Sequence, residues 1–533
     1  MTTAQAGRTG PAGTRAKAGP REWTGLCVLL LPLLLVSMDV SVLYFAVPFI
    51  SRDLQPSSAQ QLWIFDVYGF VLAGLLITMG SLGDRIGRRR LLLIGALAFS
   101  LASLGAAYSH SAAQLITARA VQGVAGATLM PSTLALIRNM FHDEKQRRTA
   151  VAVWTSATMS GIALGPVLSG FLVEHFWWGS VFLINVPFMV MLLALAPALV
   201  PEFRAPQPGR FDLLSALLSL GAVLPVIYGM QQIAAAGADA ARVAAIAGGT
   251  VAGIVFVARQ ARSRAPMIDL RLFRSRGFTG AVVLNLVSMF AVVGFAIFAT
   301  QYLQSVRAMS PFAAALWSLV PMSGTAAAVP LSQLLVKRID RAYVAAGGLL
   351  VAAGGYALLT LVQAHSPLWI VLLGASIYAG GAVGAMTVGN ELILGAVPPE
   401  RAGAAAAVVE TSSELGGALG MAVLGSIGIA VYRAELARKA PAGLPHPALA
   451  AARNTLGGAL GVAGQLPARL GTGLATAART AFAHGLDTAA AGACIAMVLA
   501  AMLSARFFRG IEVPPEAEAA PDETAAQLEP VGR

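Results

Sequence analysis

The sequence predicts an all-α polytopic membrane protein of fourteen helices, on three observations. Of 533 residues, 57% are hydrophobic and only 12% charged, with a mean hydropathy of +0.73. A soluble chain carries roughly 25% charged residues, because it has a surface to cover. The apolar residues fall into fourteen runs, each near the roughly 20 residues that cross a bilayer. Lys and Arg concentrate in alternate loops, 27 of the 37 on one side. Soluble, disordered and secreted disulfide-rich classes are excluded.

The runs begin near Leu26, Leu62, Leu91, Ala113, Ala150, Ser180, Leu213 and Val243, then near Thr279, Phe312, Val344, Pro367, Ala404 and Phe482. The eighth is an Ala/Gly-rich stretch ending at Ala258, and the thirteenth contains Glu410 and Glu414. Excess Lys and Arg mark cytoplasmic loops, so the basic side, which holds Arg85, Arg88, Arg89 and Arg90 after the second span, reads as cytoplasmic together with both termini. The same rule accounts for the net charge of +12 without a nucleic-acid partner. A long outer loop, 432–481, carries Pro441, Pro445, Pro447 and Pro467 and suits two short helices on the outer face, as a lid, a partner site or a plain insertion. The first 24 residues read as a flexible tail, and the Pro/Glu/Ala-rich end from about Ile511 reads as disordered.

Cys27 and Cys494 lie in apolar runs, which supports neither a disulfide framework nor a thiolate metal site. No paired-His metal motif and no G-x-S-x-G elbow occurs, so an enzyme is not expected, and no cofactor or metal is.

Charges placed inside apolar spans carry the chemistry. Asp39 lies in Ser37-Met38-Asp39-Val40-Ser41-Val42-Leu43, far from any basic residue in sequence. Burial penalises its charge and an arriving cation favours it, which is the behaviour of an exchange site. Arg119 sits in the fourth span, Ala118-Arg119-Ala120-Val121-Gln122-Gly123. There it costs about 2.5–3.5 kcal/mol to insert unless it faces a partner or water. Asp66, in Trp63-Ile64-Phe65-Asp66-Val67-Tyr68, opens the second span beside aromatics of an interface belt, and is either solvated or functional. Glu410 and Glu414 are four apart in Val409-Glu410-Thr411-Ser412-Ser413-Glu414 and share one helix face. Two like charges that close are costly to ionise together, so the pair suits exchange of a proton for a cation. Glu391, near the end of the twelfth span, reads as structural. Tyr44, Phe45, Trp63, Trp154, Met159, Tyr302 and Met386 are candidates to line an adaptable cavity, or plain packing.

Two further patterns are ordered rather than compositional. Gly80-Ser81-Leu82-Gly83-Asp84-Arg85-Ile86-Gly87-Arg88-Arg89-Arg90 follows the second span, and Gly161-Ile162-Ala163-Leu164-Gly165-Pro166 lies in the fifth. The first pattern and the R-x-x-Q-G at Arg119 resemble the signatures of the major facilitator superfamily. The G-x-x-x-G-P of the fifth span resembles the antiporter signature of its exporters. Asp39 stands where the fourteen-helix drug:proton antiporters carry a first-span acid, although Val40-Ser41-Val42-Leu43 replaces their usual Thr-Val-Val-Asn. Glu410 and Glu414 resemble the acids of the quaternary-ammonium and dye efflux pumps.

The resemblance implies the major facilitator fold: a six-helix bundle over 25–200, two linking helices in 201–278 and a second bundle over 279–508, between tails 1–24 and 509–533. It implies a monomeric bacterial inner-membrane exporter of lipophilic cations driven by the proton gradient. Asp39, Asp66, Arg119, Glu410 and Glu414 would couple protons to substrate, and Gly80, Asp84, Arg85, Gly87, Arg88, Gly161, Gly165 and Pro166 would gate. In the family the Asp at position 84 makes an inter-helix charge contact that closes the cytoplasmic side of the outward-open state. The absence of acid from Trp317 to Leu335 in the tenth span implies a preference for monovalent cations. An exporter of a metabolite, lipid or amino acid on the same scaffold is the alternative.

Overall fold

The computed structural model describes residues 18–204, 212–263, 266, 268, 270–396 and 402–510. Fourteen of its segments are long and apolar enough to cross a membrane. The first six are α1 (Pro20–Leu54), α2 (Ser58–Ile86), α3 (Arg88–Ala107), α4 (Ala112–Met140), α5 (Glu144–His175) and a sixth split into α6 (Ser180–Leu183) and α7 (Asn185–Leu199). Two more, α8 (Leu213–Ala236) and α9 (Ala240–Arg262), follow as a hairpin. The last six are α10 (Arg276–Gln301), a split tenth span of α11 (Pro311–Trp317) and α12 (Pro321–Val336), α13 (Arg341–Leu359), α14 (Leu368–Ala396), α15 (Ala402–Lys439) and, after short α16 (His446–Ala452) and α17 (Leu456–Ala463), α18 (Ala468–Phe508). An even number of crossings places the start of α1 and the end of α18 on one face, called here the termini face.

Local chemistry sets the helix starts. Ser57 accepts the Gln60 N–H while the Gln60 side chain returns a bond to the Ser57 N–H, so α2 starts at Ser58 rather than near Leu62. Asp66 is therefore two turns inside the helix and buried, not at its boundary. Pro321 opens the second piece of the tenth span, at the first helical turn where a proline is favoured. The last span begins at Ala468, not near Phe482, and α15 runs to Lys439. Arg469, Thr472, Thr476, Arg479 and Thr480 depress hydropathy there without opposing a helix. The connection between α15 and α18 is thus 440–467, shorter than the 432–481 read from hydropathy. At 41 residues, α18 is about 60 Å long, so it projects well past a hydrocarbon core of about 30 Å.

Helix pairing shows an internal repeat with a shift of eight spans. In the first half the first and fifth, second and fourth, third and fourth, and third and sixth spans pack together, as α1–α5, α2–α4, α3–α4 and α3–α7. The same pairs recur as α10–α15, α12–α14, α13–α14 and α13–α18. Small residues set the closest of these contacts. A Cβ on Gly161 would lie 2.6 Å from the Leu34 carbonyl oxygen, and one on Gly165 3.1 Å from that of Met38. Their counterparts Gly416 and Gly420 face the carbonyls of Leu286 and Phe290 at 2.3 and 1.9 Å. The antiporter-like glycines thus press α5 against the turn of α1 that carries Asp39.

The halves join on the face opposite the termini. There Phe312 donates its N–H to Glu174 (3.0 Å), Ser58 Oγ donates to the Asn454 carbonyl (2.7 Å), and α17 lies on α1. Thr155, Ser156 and Ser160 of α5 and Ser323 of α12 are exposed polar residues along these spans. The α8–α9 hairpin is not a remote spacer: α8 packs on both α2 and α15, across the seam.

The α10–α15 contact predicts that Gly420→Leu costs about 1–3 kcal/mol or more, the scale of overpacking. Gly354→Ala, where an added Cβ meets nothing within 4 Å, should be neutral or stabilise by up to about 1 kcal/mol. Thermal unfolding in detergent checks both.

Candidate transport site

Asp39 and Arg119, singled out separately in the sequence, meet. The Arg119 guanidinium pairs with Asp39 Oδ2, and both side chains are within a few per cent of complete burial. Arg119 Nε also donates to the Ile64 carbonyl (3.2 Å) and Nη1 to Gln122 Oε1 (3.2 Å), and the guanidinium lies 4.4 Å from the Tyr68 ring centroid. Gln122 Nε2 donates to Ser103 Oγ (2.9 Å), which also accepts from Asn185 Nδ2 (3.2 Å). The network ties α1, α2, α3, α4 and α7 into one polar knot. The Arg119 charge has its partner, which is the condition for leaving it in an apolar span. The spacing of the R-x-x-Q-G motif is explained by Gln122 one turn on, which takes up a further guanidinium N–H.

The remaining acids have no such cation. Among the described residues, neither Asp66, Glu410 nor Glu414 makes an ion pair with a basic side chain. Asp66 is 1% exposed and accepts from Gln231 Nε2 of α8. Glu410 and Glu414 are half-buried on α15, where Ser413 between them is fixed by Asn285 of α10 (3.0 Å). Two tyrosines connect the sets. Tyr44 of α1 interacts electrostatically with both Asp66 and Glu414, and Tyr68 of α2 with Asp39, Arg119 and Glu414. Ala418, one turn beyond Glu414, packs on Gly69 and Phe70 of α2, so this face of α15 is turned across the seam toward the first half. Tyr378 of α14, stacked on Tyr356 at 4.4 Å, joins Tyr44 there.

Of the candidate lining residues, Tyr44 is buried against Phe65 (5.4 Å) with its hydroxyl unpartnered. Trp63 is half-buried beside Tyr228, Trp154 donates to Thr133 Oγ1 (3.2 Å), and Met386 packs on the core. Tyr302 is not brought to this group: it sits in a π-turn after α10, fully buried, donating its hydroxyl to the Gln363 carbonyl (2.8 Å) near the far face. The side chain of Met159 lies outside the described residues. Glu391 accepts from Gln333 and stands 3.9 Å from Arg341, a local contact at the end of its span. A separate apolar cavity of about 520 Å³ lies between α1, α5, α7 and α11, lined by Leu34, Met38, Leu164, Phe171 and Phe312 among others, with no charged side chain.

The signature loop is a capped junction. Gly87 adopts φ +112°, open to glycine, and turns α2 into α3 in one residue. Asp84 accepts from Arg88 Nε and Nη2 (2.8 and 2.7 Å), so its partner is the first residue of α3, within the same bundle. Arg88 Nη1 reaches the Pro131 carbonyl (3.4 Å), and Gly80 lies against Pro131. Arg85 is exposed. The carboxylate of Glu202 caps α3 by accepting the N–H groups of Arg89 (2.9 Å) and Arg90 (3.2 Å). A Cβ on Gly87 would fall 2.7 Å from it. Sequence reasoning missed Glu202, Gln231, Tyr68 and Tyr378. The Gln231-Gln232 pair in an otherwise apolar span was the one available signal.

A family model described as Major Facilitator Superfamily matches residues 29–421. The chain belongs to that superfamily, and it is a transporter rather than an enzyme. Among curated relatives of this major facilitator, the multidrug efflux pump LfrA of Mycolicibacterium smegmatis is 43% identical over 94% of this chain and 98% of that protein. The methyl viologen resistance protein SmvA of Salmonella typhimurium is 35% identical over 90% and 98%. The tetracenomycin C resistance and export protein of Streptomyces glaucescens is 32% identical over 96% and 94%. Among solved structures, an inward-facing, unoccupied bacterial homologue of the human lysosomal transporter Spinster superposes with a TM-score of 0.66 at 18% identity, covering 92% of this chain and 98% of that one.

Breaking the buried ion pair of this transporter is predicted to cost about 3–5 kcal/mol, because it strands a charge. Arg119→Gln should lower the unfolding temperature in detergent more than Asp39→Asn combined with Arg119→Gln does. Equal losses in the single and double variants would mean that the pair is not coupled.

Proposed function

We propose that the protein is a proton-coupled antiporter of a bacterial inner membrane that exports lipophilic cations, with both termini cytoplasmic. The observation that carries this reading is the set of buried or half-buried carboxylates without a basic partner, Asp66, Glu410 and Glu414, grouped with tyrosines at the seam between the halves. A carboxylate in a low-dielectric cleft is neutralised by a proton or by an organic cation, and one group serves one occupant at a time. The tyrosine faces add cation–π attraction for a flat, weakly hydrated cation. Nearly full-length likeness to a multidrug efflux pump and to a methyl viologen resistance protein supports export and cationic cargo.

In this mechanism the inward-open state takes a cation from the cytoplasm or inner leaflet onto the acid face of α15. The cation's charge there favours release of the proton. The halves then rock about the site, as related transporters do, and the far face opens. Outside, a proton replaces the cation and resets the carriers. Asp39, held by Arg119, keeps the first half folded around the cleft, and the glycines of α5 fix its position. The excess of basic residues in the termini-side loops supports the cytoplasmic placement of that side. The lack of acid in α11 and α12 supports monovalent cations as the preferred cargo. The relative named for tetracenomycin C export favours a second reading, export of a metabolite on the same scaffold.

Cells producing the protein are expected to expel ethidium, to stop when a proton uncoupler is added, and to lose efflux in Glu414→Gln and Glu410→Gln. A parallel comparison with a neutral dye separates the readings: export of the neutral dye alone, by well-produced protein, selects the metabolite exporter.

A further inference from the structure

The contact between Asp66 and Gln231 leaves two atoms over. Gln231 Nε2 donates to Asp66 Oδ2, while Asp66 Oδ1 and Gln231 Oε1 are both buried with no hydrogen-bond partner. Each residue is only 1% exposed. An unsatisfied buried acceptor is costly, and here two acceptors from the same two side chains are unsatisfied together. Their chemistry offers one remedy. A carboxylate only accepts, whereas a carboxylic acid has one O–H to donate. A proton on Asp66 Oδ1, donated to Gln231 Oε1, satisfies both orphaned oxygens and closes a ring of two hydrogen bonds between acid and amide.

We propose that Asp66 and Gln231 form a proton-loading site in which the proton completes the bond between α8 and the first bundle. The inference rests on the reading of the protein as a proton-coupled exporter, and within it assigns the proton to Asp66 and the organic cation to Glu410 and Glu414. Exposure separates the two roles. Asp66 is buried against Gln231 of α8, whereas the α15 acids are only partly buried. The groups facing Asp66 are known on each side. Tyr44 of α1 interacts with Asp66, whereas Tyr228 of α8 reaches Trp63 and Glu414 of α15 reaches Tyr44 rather than Asp66. Arg119 of α4 bonds Ile64, two residues before Asp66, but its charge is taken by Asp39. No basic side chain competes with the proton for Asp66 among the described residues.

The position of α8 gives the proton something to control. Phe70 of α2, Ile227 of α8, and Ala418 and Ala422 of α15 form one buried apolar cluster across the seam. Lower on the same pair of helices, Ser219 Oγ reaches the Gly74 carbonyl (3.4 Å) and Leu220 packs where a Gly74 side chain would be. With the proton in place α8 is anchored to α2 at both levels while it touches α15. Without it, a single N–H must hold a buried anion, and the cost of keeping that charge from water favours parting α8 from α2 and loosening the grip across the seam. Gln231 is therefore a positioning residue: it does not carry the proton, it makes the proton's arrival a change in helix contact. The proton comes from water and returns to water, and no other bond changes.

The test uses infrared difference spectra of the purified full-length protein on a pH step, together with thermal unfolding. The wild type should show a carboxylic C=O band that Asp66→Asn abolishes and Gln231→Leu shifts to higher frequency, since a carbonyl group stiffens when its hydrogen-bonded ring is lost. Asp66→Asn supplies an amide N–H where the proton supplied an O–H, so it should unfold no earlier than the wild type, whereas Asp66→Leu should lose stability. Either a band unchanged in both Asp66→Asn and Gln231→Leu, or equal destabilisation by Asn and Leu at position 66, would overturn the proposal. Uncoupler-sensitive efflux by the wild type tests the exporter reading separately: its absence fails that reading, while the band and the stability comparison still decide the pair.

Discussion

A charge has almost nowhere to stand inside fourteen apolar helices, and the ion pair between Asp39 and Arg119 answers that constraint for the first half of the molecule. The arginine alone would cost several kcal/mol in its span. Paired with Asp39, bonded to Ile64 and Gln122 and covered by Tyr68, it becomes the joint that draws α1, α2 and α4 together, and through Gln122 and Ser103 reaches α3 and α7. The glycines of α5 add the backing. With no Cβ at positions 161 and 165, α5 lies close enough to hold the Asp39 turn against its partner.

Because that pair is closed, the ionisable groups left without a cation stand out by contrast. Asp66 has an amide for company, and Glu410 and Glu414 have each other. Their neighbours are tyrosines whose hydroxyls and ring faces suit both a proton and a flat cation. The first half thus supplies a closed pair and one free acid and the second half two free acids, and they face across a seam that α8 also touches. The eight-span repeat of helix pairs supplies two similar bodies on either side of this seam, and the inserted hairpin contacts both.

Much of this was legible from the chain. Charges such as Asp39, Arg119, Glu410 and Glu414 are conspicuous because apolar runs reject them, and the i, i+4 spacing alone puts the two glutamates on one face. That Asp39 and Arg119 belong to each other was not legible, since they are 80 residues apart and only helix packing brings them together. Asp66 looked like an interface residue because of its aromatic neighbours, until the capping box at Ser57 moved the helix start back a turn. Gln231 carries no charge and sits near the end of its span, so hydropathy passes over it, yet it is the partner of the most buried free acid. Glu202 acts on α3 from more than 100 residues away, and no local pattern announces that. The start of α18 was misplaced because threonines and arginines lower hydropathy without opposing a helix.

The central claim is that an organic cation arriving at Glu410 and Glu414 and a proton held within the carboxylate set exclude one another. It is tested most directly by adding ethidium to the purified, weakly buffered protein near neutral pH and recording proton release and dye binding together. Proton release that saturates with the dye, and that falls in Glu414→Gln, is the result expected. Saturable binding of the dye with no proton released at any pH where it binds would contradict the account.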